Sequence, residues 1–599
     1  MPTSDTSQDD ASVVRQVDVA IIGGGIAGMY CAHQLRTSAL AKTSNPVSIG
    51  LFEATDRLGG RICTRTVVND RDEPEFFAEF GPMRIEPAHQ ALLAELLNEL
   101  DIRAPQGGDP AGRREGSLVT LSSAGLTLAE SKYAFQPQEG HALPSAAALL
   151  LRALVEILKS QPSQGRAGAD RFHAVIEALR VTLTVPPDAE PSWRQRAFGI
   201  WAKDLDDADL QSIRECAELN GVPLWQMGFW NLLSEMLPHE EVNAIRDRGA
   251  FFHLIHENPN AADWLIACLR WLKTSKKLQA VHGGMEIIVN RLQKRFTNIE
   301  CRLRHTLVEL TPRGENVLLK FSYPGGFAFW QARHVILALP KARLQKLMRM
   351  NDRRFPDRIQ RAADSVIGYP MLKAFFAVKA RWWPDDYRAE DHADRLPTRE
   401  LHVFNSLVRG SRRGMILIYT DRPGSEFWSD YIGTHGRQDE PELFARSALR
   451  TGSVLANDNA DNQRRRLIKK FLQYAKRIGG DGLSEEDIEW CGIRDWGREP
   501  YCGANHVWRP QRKSWEELKE LSAFALDDGE NKNIHVCGEA YCDYQGFIEG
   551  SLRSAAHVLH AIDRKFETKT FWLCDCVKCR KAAHHLGLIR TDQHRQQSR

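Results

Sequence analysis

The stretch Val17-Asp-Val-Ala-Ile-Ile-Gly23-Gly-Gly25-Ile-Ala-Gly28-Met-Tyr decides the fold, and Glu53-Ala54-Thr-Asp-Arg57-Leu-Gly59-Gly60-Arg61 answers it. A short apolar run ends in glycines spaced G-x-G-x-x-G, and Met29 to Leu40 follows without a proline. That pattern predicts a buried strand turning sharply into a helix. Gly23 permits the turn, Gly25 lets backbone approach a pyrophosphate, and Gly28 lets the helix pack on the strand. The free N–H groups at the helix start, around Ile26 and Ala27, then face the phosphates. A second strand, Val47 to Phe52, ends at Glu53, whose carboxylate can accept both hydroxyls of an adenosine ribose. Glycine-rich turns between strand and helix also arise for packing alone, so the cradle needs the rest of the chain to identify it.

With 599 residues the chain exceeds one simple core and predicts roughly three to five domain-sized units. Its 80 basic and 77 acidic residues leave a net charge of +3, so no global field points to nucleic acid or an anionic membrane. Met1 to Arg15 is polar and acidic without an apolar h-region, which predicts no secretory signal. The most apolar helix candidate, Ser145 to Leu158, is broken by Arg152 and Glu156 and is too short to span a bilayer. A cytoplasmic enzyme is expected, and the twelve scattered cysteines read as reduced thiols.

The continuation Arg57-x-Gly59-Gly60-Arg61 resembles the flavoenzymes of the amine oxidase family rather than nicotinamide dehydrogenases. An acid at Glu53 also repels a 2′-phosphate, so FAD fits where NADP does not. The interval from Gly28 to Glu53 is longer than the usual spacing of about 20 residues, and the loop Thr37 to Pro46 takes up the excess. Next comes Phe76-Phe-Ala-Glu-Phe80-Gly81-Pro82-Met83-Arg84, an aromatic strand with one arginine beyond a Gly-Pro turn. A lone arginine is most often a surface charge. Here the segment resembles the one that passes the flavin in L-amino acid oxidases, where the arginine grips the substrate carboxylate. A guanidinium suits that role because its planar fork makes two parallel charge-assisted bonds.

The resemblance implies an α/β fold: a discontinuous Rossmann-like FAD domain over residues 16–85, 281–345 and 490–566, and an α+β substrate domain over 346–489. Residues 86–280 form a mainly helical insert, with Leu92, Leu93, Leu96, Leu97 and Leu100 on one helical face and a candidate hairpin at Leu118 to Ala134. Its tryptophans, Trp193, Trp201, Trp225, Trp230 and Trp264, read as core and interface residues. The insert is also a candidate contact surface should the chain form a homodimer. Gln279 to Val289 resembles the family's return to the FAD domain, and by the same resemblance the backbone of Leu307 meets the adenine. Lys373 starts an apolar strand ending at Trp382-Trp383. Isolated lysines near strands are usually edge gatekeepers, but this strand resembles the one whose lysine holds a water at flavin N5 and assists O2.

Near the C-terminus, Gly538-Glu539 ends a strand, and a helix is predicted to begin near Phe547 in Gly546-Phe547-Ile548. By resemblance Glu539 bonds the ribityl or pyrophosphate region, and the Gly546-Phe547-Ile548 backbone meets the pyrimidine edge. Before it, Trp496 opens a segment resembling the one in which monoamine oxidases carry a flavin-linked cysteine. With Gly503-Ala504 as the glycine pair, the next residue is Asn505, so non-covalent FAD is expected. The aromatic pair flanking the substrate amine then falls on His506 and Phe547, and Trp508 is a candidate for the missing wall. In the tail, Cys574, Cys576, Cys579 and His584 have the ligand types for tetrahedral zinc. Their spacing matches no standard knuckle, so no metal is assigned.

These features resemble an FAD-dependent L-amino acid oxidase: Arg84 holds the carboxylate, hydride leaves Cα for the flavin, and O2 becomes hydrogen peroxide. The products are a 2-oxo acid and ammonia. An L-amino acid 2-monooxygenase, a polyamine or monoamine oxidase, and a flavin-stabilised scaffold stand as alternatives.

Overall fold

The computed structural model describes residues 14–37, 47–86, 90–103, 115–120, 145–162, 169–184, 193–249, 255–273, 278–384, 387, 396–431, 442–445 and 458–563. The strand Val14–Ile22 forms the middle of a seven-stranded sheet, between Ile49–Phe52 and Gly326–Leu337. All three run parallel, as do Ile299–Arg302 beside 49–52 and Ile534–Val536 beside 335–337. An antiparallel meander, Thr306–Arg313 then Asn316–Tyr323 then 326–337, extends the other edge. Side chains alternate across a strand, and the first strand uses both faces. Val19 and Ile21 pack with helices Ile26–Thr37, Ala91–Glu99 and Ile548–Ile562, whereas Ala20 and Ile22 pack with the meander and helix Lys341–Met350. This is an α/β, Rossmann-like arrangement.

A second, five-stranded antiparallel sheet has the order Glu400–Asn405, Gly414–Thr420, Leu372–Val378, Ile488–Asp495, Glu442–Ala445. Leu372–Val378 is therefore a central strand, and all seven of its residues are buried. One face, with Leu372, Ala374 and Phe376, packs on helix Asp458–Ala475, where Phe376 and Phe471 stack at 4.0 Å. The other face, with Phe375 and Ala377, meets Phe80, Trp490 and Trp496. Lys373 lies on this second face by alternation, turned toward the segment Glu79 to Gly81.

Between strands 49–52 and 299–302 of the first sheet come seven helices running from Ala146 to Lys273. Ser145 caps the first, accepting the Ala148 N–H at 3.2 Å, and Asp206 and Asp209 close a reciprocal capping box on helix Asp207–Cys216. These helices bury an apolar core of their own from Leu149 to Leu269. Trp201 is buried in it, Trp225, Trp230 and Trp264 pack against its edge, and the Trp193 side chain lies outside the described residues. Of the candidate hairpin only Leu118–Thr120 is described, and its partner is Gln279–Val281. The zinc candidates Cys574, Cys576, Cys579 and His584 also lie outside the described residues. Among the described residues no helix is long and apolar enough to cross a membrane.

Candidate active site

The three glycines of the first turn do three different things. Gly23 has φ +110°, and a Cβ there would lie 2.3 Å from the Ala338 carbonyl oxygen. On Gly28 a Cβ would lie 2.0 Å from the Gly23 oxygen, so the helix could not close on the strand. Around Gly25 nothing lies within 4 Å of that position, leaving its backbone open to a cavity of about 660 Å³. Ile26, Ala27, Glu53, Ala54, Gly60 and Arg61 line the same cavity. Glu53 accepts the Gly24 N–H at 2.6 Å and the Thr55 N–H at 2.9 Å, one on each oxygen, which retains lone pairs for a ribose. Arg57 is placed differently: its guanidinium curls onto the carbonyls of Leu58, Gly60 and Ile62 and stays off the cavity wall. It shapes the Gly59-Gly60 loop and is not brought to the cofactor space.

Leu307, Trp496, Gly538, Glu539, Gly546, Phe547 and Ile548 line the cavity from four other segments. A bulge follows Leu307 in its strand, and Trp496 is fixed by its indole N–H on the Phe80 carbonyl at 2.7 Å. Glu539 is the node. Its Oε1 accepts the N–H groups of His506 at 3.0 Å and Gly546 at 2.9 Å, while Oε2 meets His506 Nδ1 at 2.8 Å and the Arg61 guanidinium at 3.0 Å. Burial alone would raise its pKa, but His506 and Arg61 overcome that and hold the carboxyl at about 2. Phe547 caps helix 548–562, so the positive end of that helix opens on the cavity.

A smaller cavity of about 150 Å³ adjoins the first, and both are lined by Gly81, Pro82, Met371, Lys373, Tyr419, Asn505 and Phe547. Met83, Arg84, His506 and Trp508 line the smaller one, together with Trp264, Arg270 and Trp271 from the last insert helix. Arg84 pairs with Glu400 at 3.4 Å, and Glu400 also meets His402 Nε2 at 3.1 Å, all with little exposure. Lys373 donates to the carbonyls of Glu79 at 2.9 Å and Gly81 at 2.5 Å and lies 4.7 Å from the Tyr419 ring centre, its partner across the strand pair. Burial pushes its ammonium down to about 7 against the pull of Glu79, with Arg84 adding to the fall. Burial likewise pushes the Glu79 carboxyl up to about 7.

Two of these candidates line the smaller cavity with their polar atoms already engaged by the protein. His506 is 1 % exposed with its ring committed to Glu539, and Trp508 is equally buried with its indole N–H on the Cys542 carbonyl at 3.0 Å. Asn505, one position earlier, is among the residues that line both cavities. Tyr369 and Tyr419, which face Asn505 and Lys373 from neighbouring strands, were also absent from the sequence candidates.

This fold and cradle define a flavin-dependent oxidoreductase, and the chain belongs to the flavin containing amine oxidoreductase family, whose model matches residues 26–558. Among relatives, it is 29% identical over 125 residues to Achacin of Lissachatina fulica and 30% identical over 127 residues to Aplysianin-A of Aplysia kurodai. Each match covers 21% of this chain, and 22% and 21% of those proteins respectively, so the chain spans about a fifth of the relatives it matches. Solved structures extend the likeness to the whole fold. A cyclohexylamine oxidase from Brevibacterium oxydans IH-35A aligns with TM-score 0.54 at 16% identity, and a putrescine oxidase triple mutant with TM-score 0.52 at 15%. Both alignments cover 92% of this chain and all of the other.

Proposed function

We propose that this amine oxidoreductase deaminates an L-amino acid, giving the 2-oxo acid and ammonia after water adds to the imine. Non-covalent FAD would take up the two electrons and pass them to O2 as hydrogen peroxide. The chain's own residues fit that cofactor. Gly25 leaves room for a pyrophosphate, Glu53 retains lone pairs for the ribose, Glu539 orders the loop before Phe547, and Asn505 supplies no thiol for a covalent link.

The observation that carries the amino-acid reading is Arg84, a partly buried guanidinium on the wall of a small cavity that adjoins the cradle beside Lys373. A guanidinium there can take a carboxylate in two parallel bonds and fix the adjacent Cα. Lys373, tethered to Glu79 and Gly81, holds its positive charge at the junction, where negative charge develops on oxygen. Arg270, Trp264 and Trp271 line the same small cavity.

A second reading, oxidation of a simple amine, is favoured by one contact: Glu400 already balances the charge of Arg84. Anaerobic titration of the FAD-loaded protein with the twenty L-amino acids and common mono- and diamines separates the two readings. Product identification then distinguishes deamination, giving 2-oxo acid, from oxidative decarboxylation, giving amide and CO2. Bleaching by an L-amino acid with release of 2-oxo acid supports the proposal; bleaching by amines alone overturns it.

A further inference from the structure

Strand Asn505–Trp508 pairs antiparallel with Val366–Tyr369, which sets Tyr369 opposite Asn505 and Gly368 opposite His506. Alternation turns His506 away to Glu539 and turns Asn505 toward the junction of the two cavities. There the amide nitrogen of Asn505 donates to the Tyr369 hydroxyl at 3.2 Å and to the Met371 sulfur at 3.0 Å. A thioether has no hydrogen to give, so the sulfur fixes which end of the amide is nitrogen. Both N–H bonds are then used within the protein. The carbonyl oxygen accepts no hydrogen bond from the described residues and is not occluded. It stands beside Gly546, whose Cβ position would be 3.6 Å from the Asn505 nitrogen, and across the junction from Lys373 and Phe547.

We propose that Asn505 Oδ1 is the acceptor for the substrate's amine N–H, making Asn505 a specificity-determining residue; this rests on the function proposed above. The chemistry at this point needs a neutral amine, because the nitrogen lone pair must be free to form the C=N bond. A neutral amide oxygen takes one N–H from the amine and favours the ammonium form far less than a carboxylate, which would hold the ammonium. An acceptor aimed by two spent N–H donors also fixes the direction of the lone pair. Phe547 lines the same two cavities, so the pocket has both a polar and an aromatic lining residue here.

The test uses the FAD-loaded protein with 2-aminoisobutyrate, which lacks a Cα–H and cannot be oxidised, and with isobutyrate, which lacks the amine. Binding is read from the perturbed flavin absorbance. Asn505→Leu should weaken 2-aminoisobutyrate by about two- to tenfold, the worth of one neutral hydrogen bond, while leaving isobutyrate unchanged. Asn505→Asp, nearly the same shape, should move the pH midpoint of anaerobic flavin reduction upward by about one unit or more, since a carboxylate stabilises the ammonium. Equal weakening of both ligands by Asn505→Leu, or an unmoved pH midpoint in Asn505→Asp, overturns the role of Asn505 alone, provided an L-amino acid still bleaches the wild type. A wild type that no amino acid bleaches overturns the proposed function and this role with it.

Discussion

The guanidinium of Arg84 and the carboxylate of Glu400 lie 3.4 Å apart, with side-chain exposures of 12% and 7%. A buried ion pair loses more when one partner is removed than the pair itself contributes, because the other charge is left uncompensated. Glu400→Gln should therefore lower the Tm of the substrate-free protein. A substrate carboxylate would then restore the balance, so saturating amino acid should raise the Tm of Glu400→Gln more than that of the wild type, and the KM should fall several-fold. Paired thermal melts with and without substrate check this.

Lys373 carries a charge that burial has made easy to lose. With its ammonium titrating at about 7, the rate of reaction of reduced enzyme with O2 should fall as pH rises through neutrality. Lys373→Met should slow that step by about a hundredfold, the usual worth of one aimed donor, and leave anaerobic reduction largely intact. Stopped-flow measurement of the two half-reactions separates these outcomes.

Glu539 is held at about 2 against an ordinary 4.5. A depressed carboxyl contributes stability above its unfolded pKa and loses it as pH falls through the folded value. The window is thus about 4.5 to 2, and the contribution at neutral pH is on the order of 3 kcal/mol. Glu539→Gln should be less stable than wild type by that order at pH 7 in chemical denaturation, with the gap closing toward pH 2.

What could be read from the sequence was what is local in it. The roles of Gly23, Gly25 and Gly28 follow from covalent geometry within six residues, and the structure sets backbone against Gly23 and Gly28 and leaves the space beside Gly25 open. The five-stranded sheet that centres Lys373 is invisible from Lys373 alone, since its neighbours at Tyr419 and Arg494 arrive from remote strands. The placement of His506 shows the hardest limit. Side chains in a strand alternate, so an uncertainty of one residue in aligning Gly503-Ala504 exchanges the buried face for the open one. Arg57 illustrates another: a long side chain can turn back on its own loop, and no spacing rule distinguishes that from reaching outward. Glu400 lies 316 residues from Arg84 and carried no motif at all.

The glycine geometry predicts a split between folding and binding. Gly28→Ala forces a Cβ against the Gly23 oxygen and should cost about 1–3 kcal/mol of stability even without cofactor. Gly25→Ala meets no atom within 4 Å and should stay within about 0.5 kcal/mol of wild type, yet bind FAD more weakly because its methyl projects into the cradle. Denaturant melts of the apoprotein, set beside FAD titrations, check both.

The most direct measurement is anaerobic flavin reduction by an L-amino acid and by its decarboxylated amine, in wild type and in Arg84→Met. If Arg84 anchors the carboxylate, kcat/KM for the amino acid should fall by about a hundredfold or more in the variant, while any rate with the amine stays the same. An unchanged amino-acid rate in Arg84→Met, or equal losses for both substrates, would contradict the carboxylate anchor.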